Sequence, residues 1–295
     1  MKRAFLLGFS LVELSIVLAV MGITLAGGLT VATQNTETAK ETTTTDRLDA
    51  IESALARYVL DSGNSTTGGG DLPCPADIDL PMTDVNFGLS AETAGNCTYG
   101  NYGSPNSTGV YAGGVPVRTL NLPDEYSNDG HGRRILYAVD NNFAKASVQF
   151  KETANGSITV KATVGGSDLS TNAVYVLLSF GKNGHGAFGR NGGNSLVTSG
   201  STDTDEQQNC KCDATPTIGE VAFNKTFVKK STTNSFDDVL RYAIKSEIIS
   251  TASGVTNATI CTNSAATAPN GCETATSSTN CQAMANLIKS WCFSN

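Results

Sequence analysis

The stretch GFSLVELSIVLAVMGI, residues 8–23, decides how the N-terminal part of this chain is interpreted. It opens an apolar run from Phe9 to about Ala32. As a helix this run is roughly 36 Å long at about 1.5 Å per residue, enough to cross a hydrocarbon core of about 30 Å. Lys2 and Arg3 precede it, and basic residues before a first membrane segment usually stay cytoplasmic. The sequence therefore predicts one membrane span, with the rest of the chain on the far side.

Glu13 is the only charged side chain between Ala4 and Thr36. A carboxylate at the centre of a bilayer costs about 2.5–3.5 kcal/mol on insertion scales, so such a residue usually has a partner and a role. No lysine or arginine lies within the run, and the partner is expected from elsewhere. An ordinary secretory signal peptide with small residues near Ala26, or a plain single-span anchor, would leave Glu13 unexplained.

Lys2-Arg3, Gly8 and the following Phe9-Ser10-Leu11-Val12-Glu13-Leu14 resemble the leader and N-terminal helix of type IV pilins and type II secretion pseudopilins. The resemblance covers about the first thirty residues. It implies that a prepilin peptidase cuts after Gly8 and methylates the new N-terminal Phe9. It also implies that Glu13 of one subunit pairs with the Phe9 ammonium of a neighbour during assembly. One departure is that no proline occurs between Met1 and Pro73.

The expected domain organisation follows from these motifs. Residues 1–8 are a prepilin leader peptide, 9–32 a transmembrane or filament-core helix, 33–62 an amphipathic helix, and 63–295 a periplasmic or extracellular head. Helical spacing of apolar residues supports the amphipathic part, at Leu48, Ile51, Leu55, Tyr58 and Val59. The predicted fold class is α+β: a long N-terminal helix, half membrane-embedded and half amphipathic, packed on an antiparallel β-sheet head that is loop-rich and stapled by disulfides.

The head is predicted to contain β-strands rich in β-branched and aromatic residues. The candidates are Ile135–Val139, Ala146–Lys151, Ser157–Val164, Ala173–Phe180 and Phe223–Val228. A helix is predicted from Ser235 to about Ile249, with Ser235 as its N-cap and Asp237 and Asp238 complementing its dipole. A short final helix is expected between Cys281 and Trp291.

The composition, with only 16% charged residues, fits an exported, β-rich surface protein and does not by itself indicate a function. The net charge of −7 argues against a nucleic-acid-binding face. All cysteines lie beyond the apolar run, which favours disulfides formed in an oxidising compartment over a zinc site; they are Cys74, Cys97, Cys210, Cys212, Cys261, Cys272, Cys281 and Cys292. Local closure favours pairing of Cys74 with Cys97, and also of Cys261 with Cys272 and of Cys281 with Cys292. Cys210 and Cys212 are expected to reach different partners.

Two further segments of the head loosely resemble pseudopilin motifs, namely 129–137 (DGHGRRILY) and 179–184 (SFGKNG). Because pseudopilins carry an acidic calcium loop after the second motif, the resemblance implies possible calcium binding at Asp203, Asp205 and Glu206. The alternative is a solvated acidic loop. No other cofactor is expected.

Glycines flank both His131 and His185, which is more typical of tight turns than of catalysis, and no nucleophile signature is present. The chain is therefore expected not to be an enzyme. The predicted function is a structural subunit of a type IV pilus or type II secretion pseudopilus. Its expected partners are other subunits, the prepilin peptidase and an inner-membrane assembly platform.

Before assembly the chain is expected to sit in the inner membrane as a single-pass protein, with its head in the periplasm. Two alternatives remain open at this point. One is a minor subunit at the filament tip that acts as an adhesin or ligand binder. The other is a membrane-anchored exported enzyme or binding protein.

Overall fold

A computed structural model describes residues 11–62, 70–93, 96–98, 109–144, 155–193, 196–216 and 225–253 of the chain. Within these ranges, the side chains of residues 24–31, 61, 62, 96 and 253 are not described. Several predictions lie outside the described residues: the leader with Gly8 and Phe9, the strand Ala146–Lys151, the final helix, and the pairing of Cys261, Cys272, Cys281 and Cys292.

Helix α1 spans Leu11–Ser62 without interruption. Its threonine run is accommodated because the hydroxyl groups bond to carbonyls one turn back, as Thr42 Oγ1 does to Thr38 O (2.9 Å) and Thr44 Oγ1 to Lys40 O (2.9 Å). Toward its C-terminal end, apolar side chains at helical spacing form a fully buried stripe, made of Leu48, Ile51, Leu55 and Val59.

The strands form a two-stranded ribbon and a larger curled sheet. The ribbon pairs β1 (Glu92–Thr93) with β2 (Asn96–Cys97). The large sheet has the order β3-β4-β6-β5-β7, with β8 also paired to β6. Its strands are β3 (Val110–Gly114), β4 (Leu136–Asp140), β5 (Ile158–Lys161), β6 (Asp168–Ser179), β7 (Thr226–Val228) and β8 (Val239–Ile244). The other helices in the described residues are a 3₁₀ turn (Asp124–Ser127), α2 (Thr204–Cys210) and α3 (Lys245–Ser253).

Both faces of the large sheet are buried, because alternate side chains of β4 and β6 enter two different apolar cores. On one face, Tyr137 and Leu177 join the stripe of α1 in a single cluster. On the other, Ala138 and Leu178 pack with Phe180 and Phe227. All of β4 and the part of β6 from Ala173 onward are therefore buried, which explains why these segments are nearly continuous apolar runs rather than alternating ones.

The predicted fold class is wrong. The head does not hold an antiparallel sheet: β5 and β7 run parallel, so the sheet is mixed. Among the described elements, α3 makes more contacts with α1 than any strand does. The membrane-embedded half of the predicted helix is also not supported.

The predicted membrane span is contradicted by the helices that the structure describes. Among them, none combines the length and the apolar character needed to cross a bilayer. The prediction of a single-pass inner-membrane protein with its head in the periplasm is therefore wrong for the described helices.

The predicted helix from Ser235 to Ile249 is also wrong over its first half. Residues Val239–Ile244 form strand β8, which pairs antiparallel with β6, and helix α3 begins only at Lys245. Ser235 and the two acidic residues after it suggested a helix N-terminus. Pairing with the longest strand of the sheet overrides that local signal, because Leu240 and Ala243 become buried in it.

The predicted disulfide between Cys74 and Cys97 is confirmed, with a Cα–Cα distance of 5.3 Å. The expectation that Cys210 and Cys212 reach different partners is wrong, since they bond to each other across one residue. Lys211 between them adopts a left-handed backbone conformation (φ 50°), which closes the chain on itself there.

Candidate functional site

The N-terminal part of α1 is covered with large apolar side chains that are exposed. Every large apolar residue between positions 11 and 23 is exposed, from 43 % at Val17 to 86 % at Leu11; they are Leu11, Val12, Leu14, Ile16, Val17, Leu18, Val20, Met21 and Ile23. We call residues 11–23 the apolar segment. Glu13 lies within it and is itself exposed.

The structure brings the two pseudopilin-like motifs together at one buried joint. Asp129 is almost fully buried. Its Oδ2 accepts a hydrogen bond from Ser179 Oγ (2.7 Å), and its Oδ1 accepts from the backbone N–H groups of His131 and Arg133 (2.9 Å each). Three donors thus hold one carboxylate between the loop before β4 and the end of β6.

The same joint fixes α1 to the head. Arg47 of α1 donates to the carbonyls of Asn128 (2.9 Å) and Asp129 (3.1 Å), and the N–H of Gly130 donates to Thr44 Oγ1 (3.0 Å). Gly130 packs so closely on the helix that a Cβ there would overlap the Lys40 carbonyl. The start of the first motif, residues 129–134, therefore forms a loop that packs α1 against the head, and we call it the docking loop.

Asp203 and Asp205, two of the predicted calcium ligands, already hold a cation of the chain. Asp205 lies 2.6 Å from Lys230 Nζ and also accepts from Thr163 Oγ1 and the Val164 N–H. Asp203 lies 3.7 Å from the same ammonium, and its Oδ1 caps α2 by accepting from the Asp205 N–H. The Lys230 ammonium and these hydrogen bonds lower the pKa of both carboxyls, against the opposing effect of burial.

Glu206, the third predicted ligand, faces a different cluster. One carboxylate oxygen from each of Glu206, Asp237 and Asp238 lies within 4.8 Å of the others. Burial raises the pKa of Asp237 to about 6 and raises that of Asp238 well above its usual range. We call these three residues the carboxylate cluster. The three predicted calcium ligands therefore do not lie together: Asp203 and Asp205 contact Lys230, whereas Glu206 lies beside Asp237 and Asp238. The sequence had predicted that these last two acids begin a helix.

Two asparagines that the sequence did not single out position the carboxylate cluster. Asn183 Nδ2 donates to both oxygens of Glu206 (2.9 Å each), and its backbone N–H donates to Asp237 Oδ2 (2.8 Å). Asn209 Nδ2 donates to Asp238 Oδ2 (2.8 Å). Asn183 lies within the segment 179–184 that the sequence analysis quoted, but no role was predicted for its side chain, and no local pattern distinguished Asn209.

The two histidines lie in different environments. His185 is fully buried, with Nε2 2.8 Å from the Asp213 carbonyl and Nδ1 3.1 Å from Ser199 Oγ. Because a carbonyl only accepts, Nε2 carries a proton and donates it to the Asp213 carbonyl. His131 is half-buried in the docking loop, and burial lowers its pKa. In both cases the ring belongs to a glycine-flanked turn, with positive φ at Gly132, Gly184 and Gly186.

No protein-family model, no curated protein and no solved structure matches this chain.

Proposed function

We propose that this chain is a filament subunit of the type IV pilin class, cleaved after Gly8 and assembled through the apolar segment of α1. The observation that supports this most directly is the exposure of that segment: Leu11 is 86 % and Ile23 74 % exposed. The C-terminal part of the same helix, by contrast, is buried against the head. Contiguous apolar surface of this kind marks an interaction site.

The occupant that fits this surface is the same segment of other copies. A helix that is apolar all round is typical of a buried environment, and a bundle of such helices supplies one without any further protein. Burying a Leu, Ile or Val side chain contributes about 1.5–3 kcal/mol. The surface of residues 11–23 can therefore offset the loss of freedom on assembly, with the heads arranged around the bundle.

Glu13 gives this packing its specificity. Cleavage after Gly8 would create a positively charged amino group on Phe9, one helical turn before Glu13. When neighbouring helices are displaced by about one turn, the amino group of one lies beside the carboxylate of the other. Removing one partner of a buried ion pair costs about 3–5 kcal/mol, so assembly would require both. The partners implied are other copies of the chain and a peptidase that cuts after Gly8.

Replacement of Glu13 tests this function in the cell that makes the protein. We expect Glu13→Val to abolish recovery of the chain in sheared filaments, while its total cellular amount stays near that of the unaltered protein. The matched control is Glu41→Val, at an exposed glutamate further along the same helix, which should leave filament recovery unchanged. Normal assembly of Glu13→Val would overturn the proposed role.

A further inference from the structure

We propose that Cys210 and Cys212 form a reactive disulfide that exchanges with dithiols, and that His185 carries the proton in this exchange. The bond joins the last residue of α2 to the second residue after it. The site is separate from the apolar segment, and its chemistry does not depend on filament assembly. The reactant it fits is a dithiol, of the kind that protein oxidoreductases carry.

The first observation is how little chain this disulfide encloses. Only Lys211 lies between Cys210 and Cys212, whereas Cys74 and Cys97 have a sequence separation of 23. The stabilisation that a disulfide provides by restricting the unfolded chain increases with the length of the loop that it closes. The Cys210–Cys212 bond therefore contributes less to the stability of the head than the Cys74–Cys97 bond does, and its opening can leave the fold intact.

The second observation is that hydrogen bonds of the backbone hold the two cysteines together independently of the S–S bond. The N–H of Cys212 donates to the Gln207 carbonyl (3.0 Å), and the N–H of Lys211 donates to the Gln208 carbonyl (3.2 Å). Lys211 adopts the left-handed conformation that commonly ends a helix. After reduction the two thiols should therefore stay close, so that the disulfide can form again.

The third observation is that the two sulfurs differ in access. Cys210 is fully buried, whereas Cys212 is only partly buried at the edge of the same apolar core. The rate of thiol–disulfide exchange depends on access to the sulfur that is attacked. An incoming thiolate should therefore attack Cys212 and displace Cys210. Cys74 and Cys97 are 1 % and 6 % exposed, so their disulfide is protected on both sides.

His185 lies beside both sulfurs. One of its ring nitrogens and the two sulfur atoms lie within 4.8 Å of one another. Gly186 permits this approach, because a Cβ there would overlap the Cβ of Cys210. A protonated imidazole next to a cysteine stabilises the thiolate. Lys211 adds a positive charge between the cysteines and Asp213 a negative charge directly after them, so these two neighbours act in opposite directions.

The exchange balances in atoms and electrons. The incoming thiolate forms a bond to Cys212 Sγ while the Cys210–Cys212 bond breaks, and the electron pair of that bond stays on Cys210 Sγ. His185 takes the proton that the incoming thiol loses and returns it to the Cys210 thiolate. The second thiol of the reactant then attacks its own partner sulfur in the mixed disulfide and releases Cys212 as a thiol. The dithiol is oxidised to a disulfide, and the two cysteines gain two electrons and two protons.

Graded reduction of the folded full chain with dithiothreitol at neutral pH tests the site. Free thiols are trapped by acid and alkylation, and peptide mass spectrometry identifies which cysteines were open. We expect Cys210 and Cys212 to be alkylated at dithiothreitol concentrations that leave Cys74 and Cys97 unmodified. The Cys74–Cys97 bond is thus a control within the same molecule. If it opened first or at the same concentration, the proposal would be overturned.

Two single variants test which sulfur is attacked. Cys210→Ser leaves the thiol of Cys212, and Cys212→Ser leaves that of Cys210. We expect a chromogenic aromatic disulfide to react with folded Cys210→Ser and to leave folded Cys212→Ser unmodified; cooperative thermal melting checks that both variants fold. Equal reaction of the two, or reaction of Cys212→Ser alone, would contradict the assignment of Cys212.

The role of His185 is tested by adding His185→Gln to the Cys210→Ser variant. Glutamine keeps a side-chain donor for the Asp213 carbonyl but does not carry a proton at neutral pH. We expect slower reaction of Cys212 at neutral pH and a rate equal to that of Cys210→Ser at alkaline pH, where the thiolate forms without help. An unchanged rate across the whole pH range in a folded variant would remove His185 from the mechanism.

Discussion

Gly130 is a single residue through which the head packs closely against helix α1. Its N–H bonds to Thr44, and a Cβ at this position would overlap the Lys40 carbonyl. We expect Gly130→Ala to destabilise the fold by about 1–3 kcal/mol, the usual cost of overpacking. Chemical denaturation measures this. Gly189→Ala is the control, because a Cβ there meets no heavy atom within 4 Å and the backbone is not left-handed; equal losses in both variants would contradict the docking role.

The carboxylate cluster predicts a characteristic dependence of stability on pH. Asp237 and Asp238 hold protons more tightly in the folded than in the unfolded chain. The acids Glu206 and Asp203 reinforce this effect and Arg133 opposes it. The protonated forms of these two acids therefore add to the free energy of unfolding. This contribution is complete below about pH 4, the usual carboxyl pKa, and it is lost as the pH rises through 6 and beyond.

We expect the unaltered protein to lose stability between pH 5 and 7.5 relative to Asp238→Asn, whose side chain does not titrate. Thermal melts across this range, with Asp46→Asn as an exposed control, measure the difference. A constant difference between the unaltered protein and Asp238→Asn would contradict the assignment.

At the scale of elements, α1 has two parts with opposite surroundings. Leu55 is fully buried in the core, whereas Leu18 is 61 % exposed in the apolar segment. We expect Leu55→Ala to lower the free energy of unfolding by about 2–5 kcal/mol, and Leu18→Ala to leave it nearly unchanged while weakening filament assembly. Denaturation together with filament recovery separates the two effects. A large loss of stability in Leu18→Ala would show that the segment is covered by the head.

The elements also show what the sequence could and could not predict. The apolar stripe of α1 followed from helical spacing, and β4, β5 and β6 lie within or next to predicted strands, because burial leaves a local pattern in each. Strand β8 was missed because Ser235, Asp237 and Asp238 have the composition of a helix start, while pairing with β6 depends on residues some sixty positions earlier. The parallel pairing of β5 with β7 is equally non-local.

The carboxylate cluster could be predicted only in part from the sequence. Glu206 was selected for its acidic neighbours, but Asp203 and Asp205 turn toward Lys230 instead. The residues that contact Glu206 lie about thirty residues later, Asn183 joins them from the turn after β6, and Asn209 joins them from α2 itself. Contacts of this kind depend on the path of the chain, and no spacing rule encodes them.

At the scale of the whole molecule, the disulfide between Cys74 and Cys97 closes a loop next to the α1 core, with 23 residues of sequence separation. A loop of this size stabilises the fold by about 3 kcal/mol in the chain-entropy account. We therefore expect the double variant Cys74→Ser, Cys97→Ser to unfold at clearly lower denaturant concentration. An unchanged midpoint would show that the crosslink contributes nothing to the stability of the head.

The whole molecule is thus a disulfide-bonded head whose helix extends an apolar segment outward, and the central claim is that this segment assembles. The most direct measurement is the intact mass of the chain recovered from sheared, washed filaments. We predict a chain that begins at Phe9, with one added methyl group. Absence of the chain from the filaments, or a chain that still carries Met1 or begins near Ala26, would contradict the account.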